Sequence, residues 1–204
     1  MTAFDPQPPH KPAPEEVIDL EPRSDGVYAP HHDTPYQPAR PGLADAAFMR
    51  RHPAHWVALG FGAGLSRVAP GTVGTAWGWL AFLLLGHWLD AAQMGWLIAA
   101  ALPVGWWACT LTARHLGVAD PGSIVWDEIV AIWIVLWLVM PTGFWGQFGA
   151  FLLFRYFDAA KPGPVRWADG VFKGFGWRGG FGILFDDLVA AFCTLLVIAL
   201  WRAW

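Results

Sequence analysis

Ser123-Ile124-Val125-Trp126-Asp127-Glu128-Ile129-Val130-Ala131-Ile132-Trp133 sets two carboxylates at the edge of an apolar run. Two further stretches repeat the device. Residues 154–164 read FRYFDAAKPGP and contain Asp158, and residues 182–192 read GILFDDLVAAF and contain Asp186 and Asp187. Acidic groups in such surroundings are costly unless they coordinate a metal, pair with a base or meet a charged ligand. The runs around them show no strand-like alternation and are punctuated by Pro and Gly, so helices are expected throughout.

The composition points to a membrane. Of 204 residues 55% are hydrophobic, 15 are Trp and only 14% are charged, far from the balance of a water-soluble domain. Apolar segments fall at about Ala76–Leu89, Met94–Leu111, Ile129–Met140, Phe144–Phe154 and Leu188–Trp204. The second and fifth approach the roughly 20 residues of a spanning helix, and the others are shorter. The expected fold is an all-α, multi-helix integral membrane protein with short or partly re-entrant helices. Residues 46–204 form its helical membrane domain, and residues 1–45 form a disordered, Pro-rich acidic tail too poor in apolar clusters to offset ordering entropy. Residues 1–51 carry 8 acids against 5 bases and the rest of the chain 8 of each, so the net charge of −3 belongs to the tail. The tail has no apolar run of the kind that marks a secretory signal. Cys109 and Cys193 lie in apolar stretches without paired spacing, which argues for small buried hydrophobes rather than a disulfide or zinc site.

If the segments alternate across the bilayer, Arg50, Arg51, Arg67, Arg114, Arg155, Lys161, Arg166, Lys173 and Arg178 share one side, and only Arg202 falls opposite. The positive-inside tendency makes that side cytoplasmic. The acids share it, and acids mixed with bases on one membrane face suit a metal holding an anionic substrate. Arg155, Asp158 and Lys161 follow one another at i, i+3 and i+6, which places them near one helical face, just before Pro162. Intrahelical ion pairing is the plainer reading of that trio. Asp127 and Glu128 stand near a helix start, where acids complement the helix dipole. Asp186 and Asp187 repeat this before the last apolar segment, and two such pairs exceed what capping needs. Hard oxygen ligands of this kind favour Mg²⁺.

Residues 60–75 read GFGAGLSRVAPGTVGT, a Gly-rich turn leading into a helix. Exposed amides there, with the hydroxyls of Ser66, Thr72 and Thr75, can cradle phosphate, although close helix packing through Gly explains the glycines equally well. The stretch is neither a P-loop nor a dinucleotide fingerprint, since no Gly-Lys-Ser/Thr follows and no strand precedes.

These motifs, GFGAGLSRVAPGTVGT, GVADPGSIVWDE, FRYFDAAKPGPVRWAD and the run ending in Asp186-Asp187, resemble in order the motifs of the phosphatidylglycerophosphatase A family, over about Trp56 to Ala191. Arg67 stands where that pattern commonly has proline, and Thr75 where serine is common. The resemblance implies a Mg²⁺-dependent lipid phosphatase of the bacterial inner (cytoplasmic) membrane, its active site facing the cytoplasm. The reaction would be hydrolysis of phosphatidylglycerophosphate to phosphatidylglycerol and phosphate in phospholipid biosynthesis. The expected metal ligands come from Asp127, Glu128, Asp158, Asp186 and Asp187. Catalytic roles fall to Asp127, Glu128, Asp158, Arg155 and Lys161, and phosphate contacts to Ser66, Gly71, Thr72, Arg155 and Lys161. Attack by water and attack by a carboxylate both stay open. The partners expected are the phospholipid and the membrane, with no nucleic acid and no protein partner.

Two rival readings remain. A CDP-alcohol phosphotransferase also uses acids at a membrane face, but its expected Ala-Arg is missing after Asp169-Gly170, and Asp186 and Asp187 are adjacent rather than one turn apart. A non-catalytic subunit or transporter would instead spread its charges through the membrane depth.

Overall fold

An apolar helix with no polar face is stable only when surrounded, and the chain builds its bundle around one. In a computed structural model, which describes residues 44–204, that helix is α5, Trp126–Val139. Most of its side chains, from Trp126 to Val139, are buried, with Trp137 and Leu138 among the exceptions. Around it stand α3 (Pro70–Leu85), α4 (Ala91–Leu116), α6 (Phe144–Ala160) and α8 (Gly176–Ala203). Three short helices, α1 (Ala46–Met49), α2 (Pro53–Ala58) and α7 (Pro164–Val171), pack at the margin, and a 3-10 turn covers Gly60–Leu65. No strand occurs among the described residues. The expected tail over 1–45 lies outside them apart from its last two residues.

Small residues set the helix spacing, as close packing in a membrane requires. Gly74 and Gly78 of α3 face Val125, Ile129 and Ile132, and Gly105 of α4 faces the Trp126 indole. Two indole N–H groups close the same interfaces: Trp133 donates to Gly78 O at 2.8 Å and Trp126 to Ala101 O at 3.1 Å. Cys109 is buried and Cys193 partly so, both free. The outside of the bundle is apolar as well. Trp88, Trp96, Trp145, Phe192 and Trp201 are exposed, a surface suited to lipid and unsuited to water.

Helices α4 and α8, at 26 and 28 residues, are long and apolar enough to cross a membrane, as the second and fifth apolar segments predicted. The capping box of Asp90 and Gln93 starts α4, and Gly117 in the left-handed conformation ends it. Helix α8 departs from expectation. It begins at Gly176 rather than after Asp187, so Asp186 and Asp187 stand inside a helix instead of ahead of one. The apolar pattern missed this start because the first turns are Gly-rich, and their stability comes from packing: a methyl group on Gly180 would strike Thr110 of α4.

Candidate active site

The site forms where α3, α5 and α6 meet. Ala69 adopts the left-handed region (φ 45°), turning the chain so that Pro70 can occupy the first helical position of α3. No side chain caps α3, so its first turn leaves the amides of Gly71 and Thr72 without intrahelical partners. Val125 packs against Gly74, bringing the first turn of α5 alongside, and a Cβ on Gly71 would run into Glu128 Oε1 and stand 3.3 Å from Arg155 Nη2.

Arg155 ties the three helices together. From α6 its Nη1 donates to Asp158, one turn on, and to Thr75 Oγ1 of α3 at 3.3 Å, and it lies 3.8 Å from Glu128 Oε1 of α5. Thr75 in turn donates to Gly71 O at 2.8 Å, so the hydroxyl is retained where the family pattern commonly has serine.

Beside this guanidinium, Asp127, Glu128 and Asp187 converge, one oxygen from each lying within 4.8 Å of the others. Asp127 Oδ1, Glu128 Oε2 and Asp187 Oδ2 are buried without a hydrogen-bond partner. Three orphaned carboxylate oxygens from two helices are costly as they stand, and a hard divalent cation is what satisfies such a set. The donors present therefore fit Mg²⁺. Asp158, 9% exposed, accepts from Arg155 beside this group.

The remaining charges form a second group. Lys161 Nζ donates to Asp169 Oδ1 at 2.5 Å and to Asp186 Oδ2 at 2.6 Å, and Lys173 Nζ lies 2.8 Å from Asp169 Oδ2. Burial alone would lower the Lys161 pKa, but the two carboxylates overcome it and hold the ammonium above its ordinary value. Burial likewise pushes Asp169 up, and its two lysines bring it below the usual carboxylate range.

The expected trio on one helical face thus divides. Arg155 and Asp158 pair as the spacing predicted, but Lys161 is the C-cap of α6 with φ 46°, off the helix and turned to α7 and α8. Adjacent residues on a helix point about 100° apart, and Asp186 and Asp187 accordingly serve different groups. Ser66 spends its hydroxyl on Val68 O at 2.8 Å, Thr72 is exposed beside the start of α3, and Gly71 lies against Glu128 and Arg155. Sequence reasoning weighed Asp169 in the phosphotransferase reading and gave it no role in the phosphatase site. Its i, i+4 spacing to Lys173 was the available signal.

The family model for phosphatidylglycerophosphatase A matches residues 56–202. A phosphatidylglycerophosphatase A of Escherichia coli strain K12 is 37% identical over 75% of this chain and 86% of its own. One of Haemophilus influenzae is 37% identical over 75% of this chain and 91% of its own. A Bacteroides thetaiotaomicron protein, provisionally named a phosphatidylinositol-3-phosphatase, is 34% identical over 72% and 91%. No solved structure matches significantly. The fold and these relatives define an all-helical phosphatase. The chain belongs to the phosphatidylglycerophosphatase A family.

Proposed function

We propose that the protein hydrolyses phosphatidylglycerophosphate to phosphatidylglycerol and inorganic phosphate, with Mg²⁺, at the cytoplasmic face of a bacterial inner membrane. The observation that carries this reading is the pairing of three orphaned carboxylates with an arginine and two free helix-terminal amides. One half suits a cation and the other suits a phosphate.

Asp127, Glu128 and Asp187 would hold Mg²⁺, which when bound supplies charge for the phosphate oxygens and a water of lowered pKa. The chain's own groups do the rest. The Gly71 and Thr72 amides, with the α3 dipole behind them, bind phosphate oxygens. Arg155 meets the charge that shifts onto those oxygens as the phosphorus–oxygen bond to the glycerol breaks. Asp158 and Thr75 fix the guanidinium so that this stabilisation needs no rearrangement. Lys161 acts one step away, holding Asp186 so that its neighbour Asp187 faces Asp127 and Glu128. The charges gather at one end of the bundle, and the cation at the other end, Arg202, is spent on Val139 O at 2.8 Å, a placement that favours an enzyme over a conduit.

The test is phosphate release from phosphatidylglycerophosphate in detergent micelles, with Mg²⁺ or chelator, for the native chain and Asp127→Asn. Mg²⁺-dependent release that the substitution abolishes supports both substrate and site. Release only from a phosphatidylinositol phosphate would move the headgroup assignment, and no release from folded protein would favour the non-catalytic membrane subunit.

A further inference from the structure

The charged groups account for one end of α3 and α5, and an apolar groove of about 280 Å³ lies along the same two helices. Its lining is wholly hydrophobic: Phe61, Trp77, Ala81, Leu85, Trp126 and Trp133 are among its walls. On α5 its lining residues Trp126 and Ile129 flank Asp127 and Glu128 in the chain, so groove and acid group share the first turn of that helix on different faces. On α3 it extends from Trp77 to Leu85, about 12 Å at 1.5 Å per residue. One leaflet of a hydrocarbon core about 30 Å thick measures about 15 Å, so the groove runs through most of a single leaflet, the depth an acyl chain occupies.

The walls are held in place. Trp126 and Trp133, 7% and 6% exposed, each spend their indole N–H on a backbone carbonyl and meet edge to face at 6.0 Å, leaving carbon surface toward the groove. Among the lining residues Phe61 is 56% exposed, its ring 6.2 Å from that of Trp126, on a backbone with φ 56° that a phenylalanine adopts only at a cost. An exposed aromatic ring on a left-handed turn beside the groove offers apolar surface to a hydrophobic chain entering there.

We infer that this groove binds one acyl chain of the lipid whose phosphate the neighbouring site holds, and that it thereby sets the depth and angle at which the headgroup meets Arg155 and the acids. The inference rests on the lipid-phosphatase reading. Groove binding is specific in a way that bulk lipid contact is not, because the chain must leave the bilayer's disorder and lie along fixed walls.

Ala81→Trp fills the groove floor, and Leu84→Trp narrows its rim should the first variant fail to fold. Leu152→Trp, on the exposed face of α6, is the control for a bulky ring elsewhere against lipid. Each is assayed with long-chain phosphatidylglycerophosphate, with its dihexanoyl form and with the deacylated headgroup, in micelles of fixed composition. The expected result is a rise of about tenfold in KM for the long-chain lipid, little change for the deacylated compound and none for Leu152→Trp. Unchanged KM for the long-chain lipid in a folded groove-filling variant overturns the inference, as does an equal loss on all three substrates or in the control. A native chain that releases no phosphate from any of them removes the phosphatase reading first, a failure distinct from that of the groove.

Discussion

Asp186 and Asp187, joined by one peptide bond, face opposite tasks: Asp186 accepts from Lys161 at 2.6 Å, while Asp187 converges with Asp127 and Glu128 and keeps one oxygen without a partner. About 100° of helix rotation between them separates a charge that is matched from a charge that waits for a cation. The two positions should therefore respond in opposite senses to removal of charge.

Asp187→Asn relieves repulsion among three carboxylates, so in chelator the variant should melt above the native protein. Added Mg²⁺ should raise the native melting temperature and leave the variant's unmoved, because the ligand set is incomplete. Thermal unfolding in micelles at matched detergent checks both statements. Phosphate release by the variant should be lost.

Lys161→Met strips the partner from Asp186, which is 7% exposed and would be left as a poorly solvated charge. With the lysine side chain itself partly exposed, about 2 kcal/mol of stability should go, below the range for fully buried pairs. Lys161→Arg should recover stability more fully than activity, since the longer planar fork shifts Asp186 and with it Asp187.

Gly71→Ala adds one methyl where Glu128 and Arg155 already stand. Gly71 is helical with no positive φ, so little stability should be lost, but kcat should fall by up to about 100-fold as the arginine and the acid are pushed apart. Steady-state kinetics with the native lipid decides it: an unchanged kcat would remove Gly71 from the site.

The pH dependence of stability should carry the signature of His55. This residue of α2 is 2% exposed, with Nδ1 2.9 Å from Phe48 O, so Nδ1 donates and Nε2 accepts from His115 at 2.9 Å. Burial drives its pKa down from 6.5 to about 4, against the pull of the Phe48 carbonyl. The unfolded chain then binds the proton more readily than the folded one. The contribution is complete above pH 6.5 and drains away as pH falls toward 4. Melting curves across that window should slope less steeply for His55→Gln than for the native protein.

Much of this was legible in the sequence. Carboxylates are conspicuous inside apolar runs, and so Asp127, Glu128, Asp158, Asp186 and Asp187 stood out, as did the two longest hydrophobic segments that became α4 and α8. The partition among the acids was not legible, because it depends on which way α8 is rotated against α5 and α6, a property of packing at Gly180 and Thr110 rather than of local pattern. Lys161 misled for a different reason. Three-residue spacing suggested a shared face, yet the residue before a proline avoids the helical region, and Pro162 releases Lys161 from α6. Ser66, expected to contact phosphate by its place in a Gly-rich stretch, donates its hydroxyl to Val68 O in a local turn, a partner that only the chain's actual path reveals.

The central helix has 14 residues and α3 has 16, lengths of about 21 and 24 Å against a hydrocarbon layer of about 30 Å. In a bilayer such a shortfall would cost a fraction of a kcal/mol per ångström, and local thinning beside the lipid-facing α3 is one way to meet it. On the lipid-phosphatase reading, a membrane dimpled on the α3 side would lower its headgroups toward the acids, bringing the lipid surface down to the site rather than lifting the lipid out. Hydrophobic mismatch would then be a determinant of rate, and bilayers of shorter-chain lipid should support faster turnover than thick ones.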